Sequence, residues 1–84
     1  MPEIARFYGI IVRMFFIGRE HNPPHIHASY GEFAGVFSIE TMEMIEGNMP
    51  KEARRLIKKW GKKYQRDLLT MWKKQSFREL PWQE

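Results

Sequence analysis

The chain has no cysteine. That single absence removes a disulfide framework, a thiolate metal site and a cysteine nucleophile, and it leaves histidines and carboxylates to hold any metal. Long hydrophobic runs are missing too. Ile10-Ile11-Val12 and Met14-Phe15-Phe16-Ile17 are split by Arg13 and fall far short of the ~20 residues that span a bilayer. The start, Met1-Pro2-Glu3-Ile4-Ala5-Arg6, lacks the basic flank, apolar stretch and small-residue cleavage site of a signal peptide. With no export signal, no membrane span and no cysteine, a cytoplasmic protein is expected. Also absent are a glycine loop that could cradle phosphate, a Ser-His-Asp order, and any repeat or low-complexity tract.

What is present suits one domain spanning residues 1–84. Eighty-four residues with 43% apolar and 14% aromatic side chains can build a single core and no more. The net charge of +4 is unevenly spread. Residues 1–50 carry three arginines against six glutamates, a net of −3. Residues 51–74 carry ten Lys and Arg against Glu52 and Asp67, a net of +8. One segment makes the protein basic.

Periodicity places strands first and helix second. Alternation over 4–17 puts Ile4, Tyr8, Ile10, Val12, Met14 and Phe16 on one face and Phe7, Ile11, Phe15 and Ile17 on the other. This predicts a long central strand covered by the helix on one side and by the tail or a second subunit on the other, which makes a homo-oligomer one expected arrangement. Gly9 is read as a bend or bulge in it. Gly18 through Pro24 forms a loop, since the two prolines have no N–H to donate. Strands follow at 25–30 and 33–40, joined by a Gly31-Glu32 turn, with a short strand at 42–46.

Pro50 opens a helix over about 50–75. Its apolar stripe is Ala53, Leu56, Ile57, Trp60, Tyr64, Leu68, Met71 and Trp72, at three- and four-residue steps. Gly61 is read as a bend or a point of close packing. The tail, 76–84, with Phe77, Leu80, Pro81 and Trp82, is expected to pack back on the domain. The fold class is therefore α+β: a small antiparallel meander of three to four strands against one long C-terminal helix.

All three histidines fall within His21-Asn22-Pro23-Pro24-His25-Ile26-His27. His25 and His27 share a strand face, with Ser29. Side chains two apart on a strand stand ~6.6 Å apart along the backbone, close enough for two imidazoles to chelate one ion. His21, carried across the rigid Pro-Pro turn, is the candidate third ligand of a divalent metal site, with Glu20, Glu32 or Glu40 as carboxylate candidates. The same pair suits metal-free acid–base chemistry, and ribonucleolytic cleavage needs such groups plus a cation. Arg13 is that cation if its strand face matches, and His25, His27 and Arg13 together form the candidate active or phosphate site. The plain structural alternative is that the histidines cap backbone groups around the turn and face solvent.

Arg54, Arg55, Lys58, Lys59, Lys62, Lys63 and Arg66 fill the helix face opposite the apolar stripe. Such a face attracts RNA or DNA phosphate in a salt-sensitive way. It also suits an acidic protein partner, or plain solvation. Trp60 and Trp72 lie on the apolar stripe and are expected in the core, not as base-stacking platforms.

Pro2 through Ile10, Arg13-Met14, His21 through Ala28, Tyr30-Gly31-Glu32 and Glu46-Gly47 together resemble a small prokaryotic family catalogued as domain of unknown function 4160. The resemblance covers most of residues 2–47, and beyond them the Pro near position 50 and Trp60. It implies a short stand-alone prokaryotic protein of the kind often encoded beside another small protein in an arrangement like a toxin–antitoxin pair. By that analogy a small partner protein and an RNA target are expected. The alternatives are a small divalent-metal enzyme using His21, His25 and His27, and an interaction module without chemistry.

Overall fold

The structure is a computed structural model and describes residues 3–15 and 23–82. Five strands form one antiparallel meander in the order β1 (Glu3–Phe7), β2 (Ile10–Arg13), β3 (His25–Tyr30), β4 (Phe33–Ser38) and β5 (Met44–Asn48). Two helices follow, α1 (Lys51–Lys63) and α2 (Gln65–Lys74). The α+β class and the meander stand, with five strands in place of three to four.

The single strand expected over 4–17 is instead the β1–β2 hairpin. Tyr8 and Gly9 both take positive φ, 49° and 82°, the conformation of a two-residue turn whose twist suits a hairpin. Gly9 is thus a turn residue and not a bulge in a continuous strand. The reversal brings Phe7, Ile10, Val12 and Met14 to one face, all buried. Ile26 and Ala28 of β3 and Phe37 of β4 join them, and the helices cover that face with Ala53, Ile57, Trp60, Leu68, Met71 and Trp72. The other, open face carries Ile11, Arg13, His27, Ser29, Ala34 and Val36, of which Ala34 is exposed and the rest are half-buried.

The one long helix is two. Tyr64 leaves helical geometry at φ −107°, ψ 16°, although its N–H still reaches the Trp60 carbonyl at 3.2 Å. Side chains hold the break. Gln65 Nε2 donates to the carbonyls of Ile39 and Glu40, both at 2.7 Å, and the Tyr64 hydroxyl donates to the Pro81 carbonyl at 2.6 Å. Gly61 is a point of close packing: a β-carbon there would lie 2.1 Å from Met42 Cε.

The tail packs back as expected, but on the helix side and the β1 edge, not on the opposite face of the sheet. The Leu80 N–H bonds the Ile4 carbonyl at 2.7 Å, and Trp60 Nε1 donates to the Leu80 carbonyl at 2.9 Å. Trp82 stacks on Phe7 with ring centroids 4.9 Å apart. Trp60 and Trp72 are buried, as their place on the apolar stripe predicts.

Candidate active site

β3 begins immediately after Pro24, and alternation from that point sends His25, His27 and Ser29 to the open face. His25 and His27 rings lie 5.2 Å apart. His25 occupies the first strand position, where the open face meets the end of the sheet, so its ring also reaches Trp72 of α2 at 4.9 Å. On the other side His27 meets the edge of Phe15 at 4.5 Å. A run of ring contacts therefore links α2 to the open face.

His25 Nδ1 sits 2.8 Å from the Pro23 carbonyl. A carbonyl only accepts, so Nδ1 carries the proton and, in the neutral ring, Nε2 carries the lone pair. The proline turn thus orients the imidazole and sets its tautomer.

Arg13 does match the histidine face. It stands directly across from His27 in the β2–β3 ladder, with Nη1 3.4 Å from Ser29 Oγ. Glu3 lies across from Arg13 on the other side, yet its carboxylate is taken by Arg6 through two bonds of 2.9 and 3.0 Å. The Arg6 hydrogen bond, and then the fields of Arg6 and Arg13, hold the Glu3 carboxyl below its ordinary range. Among the described residues no carboxylate comes within ion-pair distance of the half-buried Arg13 guanidinium. Arg13, His27 and Ser29 line one cavity of about 280 Å³ that also includes Phe15 and Glu46.

His21 and Glu20 lie outside the described residues, so the three-histidine metal set is not described as a whole. Among the described residues no three His, Asp or Glu side chains gather to hold an ion, which leaves Glu32 and Glu40 apart from His25 and His27.

The basic face divides. Arg55 is tied to Glu52 on its own helix, Lys58 bonds Glu43 at 2.6 Å, and Lys59 lies over the Trp82 ring at 5.8 Å. Arg54 is exposed on this same outer face. Lys62, Lys63 and Arg66 instead rim a cleft of about 1130 Å³ together with Lys73, walled by Pro24 and Trp72. None of these four cations is in an ion pair with a described residue, and the cleft's one acid, Asp67, is taken by Arg78 at 3.0 Å. The cleft therefore abuts the proline turn and, through Trp72, His25.

Lys73, Glu46, Ser29 and Trp72 were not singled out as site residues by sequence reasoning. Lys73 had a signal, since it extends the basic run. Ser29 is two residues beyond His27 and so on its face. Glu46 and Trp72 reach the site only through strand register and helix packing, which local periodicity does not contain.

The family described as Domain of unknown function (DUF4160) matches residues 9–73 of the chain. No curated protein and no solved structure matches it.

Proposed function

This chain belongs to the DUF4160 family of unknown function, and from that premise we propose that it binds RNA as the RNA-engaging member of a toxin–antitoxin-type pair. The phosphate backbone lies in the cleft rimmed by Lys62, Lys63, Arg66 and Lys73 and runs past His25 to Arg13 and His27. One observation carries this reading: four of the cations without a described carboxylate partner, Lys62, Lys63, Arg66 and Lys73, gather around a single cleft that adjoins the histidine turn. Cations with an adjacent carboxylate, such as Arg55 and Lys58, contribute less, because the carboxylate offsets part of their field at a phosphate. A partner protein that covers the cleft would present acidic side chains to it, in imitation of phosphate.

The test is fluorescence-anisotropy binding of a mixed-sequence single-stranded RNA over a range of salt. Each phosphate contact on a single strand contributes about −0.7 to the slope of log affinity against log salt. Reversing Lys62, Lys63, Arg66 and Lys73 to Glu is expected to flatten that slope by about 3 and to abolish binding near physiological salt. Reversing Arg55 and Lys58 is expected to change it little. Equal losses in both variants, or salt-independent binding, would contradict the cleft.

A second reading has one observation in its favour. The Pro23 carbonyl that holds His25 Nδ1–H is the kind of support that metal-ligating histidines have, with Nε2 as the ligand atom. In that reading His21, His25 and His27 hold a divalent ion. Titration of zinc, nickel or manganese followed by histidine NMR separates the two, since the RNA reading expects no shift of His25 or His27.

A further inference from the structure

The open face of the sheet carries a row of side chains in which the RNA-binding reading uses Arg13 and His27 and leaves Glu46 without a role. Strand register runs Arg13 opposite His27, His27 opposite Val36 and Val36 opposite Glu46. Four strands thus place a guanidinium, an imidazole and a carboxylate along one line, with an apolar floor between the last two. Neighbouring strands lie ~4.8 Å apart, so His27 and Glu46 start roughly 10 Å apart at the backbone, on either side of Val36. All three chemical side chains line the same cavity of about 280 Å³.

The backbone around Glu46 is built to aim it. The β4–β5 ladder shifts register between Val36 and Phe37, whose partners are Glu46 and Met44, so Ile45 is the extra residue of a bulge immediately before Glu46. Gly47, immediately after, takes φ +99°. Bulges beside a site re-aim the side chain that follows them. On the opposite side Phe15 stands edge-on against His27, and Arg13 has no described carboxylate to neutralise it. A guanidinium makes short, strong and often bidentate bonds to phosphate.

We propose that this row cleaves RNA without a metal, by transphosphorylation at the 2′-hydroxyl, with Glu46 as general base, His27 as general acid and Arg13 on the phosphate. The inference rests on the RNA-binding reading above. Glu46 removes the proton of the 2′-hydroxyl, and the freed oxygen attacks phosphorus to form the 2′-O–P bond. The P–O5′ bond breaks with its electron pair going to the 5′-oxygen, which takes its proton from the His27 imidazolium. Arg13, assisted by the Ser29 hydroxyl, balances the charge that builds on the nonbridging oxygens. The products are a 2′,3′-cyclic phosphate and a 5′-hydroxyl, the proton has passed from substrate to Glu46 and from His27 to the leaving group, and no other reactant is needed. In-line displacement requires base and acid on opposite sides of phosphorus, which is how the row sets Glu46 against His27.

The experiment uses the full chain with EDTA present and two probes: a DNA oligonucleotide carrying one internal ribonucleotide, and its all-DNA counterpart. Anisotropy measures binding, and mass spectrometry reads the products. Cleavage only 3′ to the ribonucleotide, yielding a cyclic phosphate, is expected. Glu46→Gln and His27→Gln are each expected to lower the single-turnover rate at saturating protein by about 10²–10⁴-fold, the range of general acid–base groups, with binding retained in Glu46→Gln. Glu46 is exposed, so the glutamine variant keeps the fold, and its unfolding curve checks this. Wild-type protein that binds the probe and never cuts it overturns the inference and leaves RNA binding standing. Cutting of the all-DNA probe, loss of cutting in EDTA, or a wild-type rate in Glu46→Gln also overturns it. Failure of the wild type to bind RNA at all overturns the reading on which it rests.

Discussion

At Gly47 the chain turns through φ +99°, and a β-carbon there would lie 2.3 Å from the Ala34 carbonyl oxygen and 2.7 Å from Gly35 Cα. Backbone atoms do not move aside as a flexible side chain does, so alanine is excluded on two grounds, conformation and contact. Gly47→Ala is expected to cost about 1–3 kcal/mol, measured by urea unfolding, and to displace Glu46 from its row. An unchanged midpoint would show that the close approach of β4 and β5 is not as described. This residue also marks a limit of sequence reading. Glu46-Gly47 was visible as part of the family resemblance, but nothing local tied it to histidines some twenty residues earlier in the chain. The shared face of His25, His27 and Ser29 was legible, because strand alternation alone decides it. Whether Arg13 joined them depended on the β2–β3 register, which pairs residues fourteen apart.

Among the elements, element type and buried face were legible for β3 and the helices, whereas the points where the chain turns or breaks were not. β3 and the apolar stripe of the helices emerged from spacing. The β1–β2 hairpin did not, because Tyr8 is a strand-forming residue type held at φ 49° and the apolar residues on either side alternate through the turn. The helix break at Tyr64 was hidden for a related reason: Tyr64 and Leu68 stay in phase with the stripe, and the cause of the break lies in Gln65 reaching the Ile39 and Glu40 carbonyls. Helix and sheet are also joined by Lys58 and Glu43. The hydrogen bond from Lys58, and then its charge, holds the Glu43 carboxyl below its ordinary value of 4.5. The folded state therefore prefers the ionised form more than the unfolded chain does. This contribution is fully present above the ordinary glutamate range and is lost as pH falls through the depressed folded value. Thermal unfolding of wild type and Glu43→Gln should differ at neutral pH and converge in acid. A difference that persists at low pH would mean that packing, not this ion pair, separates them.

The whole molecule has two layers with different surfaces. One layer is helical and basic, and the other is a sheet whose open face carries Arg13, His27 and Glu46. Charge counting along the sequence located the basic segment correctly but treated its outer face as uniform. The fold sorts those cations by their neighbours, leaving Arg55 and Lys58 in internal pairs and gathering Lys62, Lys63, Arg66 and Lys73 around the cleft beside Pro24. His25 is the junction between the layers, in contact with Trp72 on one side and His27 on the other. Among the described residues no helix is long and apolar enough to cross a membrane.

The central claim is that RNA follows the path from the cleft to the open face. Its most direct test is NMR mapping of labelled protein during titration with a single-stranded RNA. The expected result is perturbation of Lys62, Lys63, Arg66, Lys73, the Trp72 indole and the His25 and His27 rings, with Arg54, Arg55 and Lys58 little changed. Perturbations confined to Arg54, Arg55 and Lys58, with both histidines silent, would contradict it.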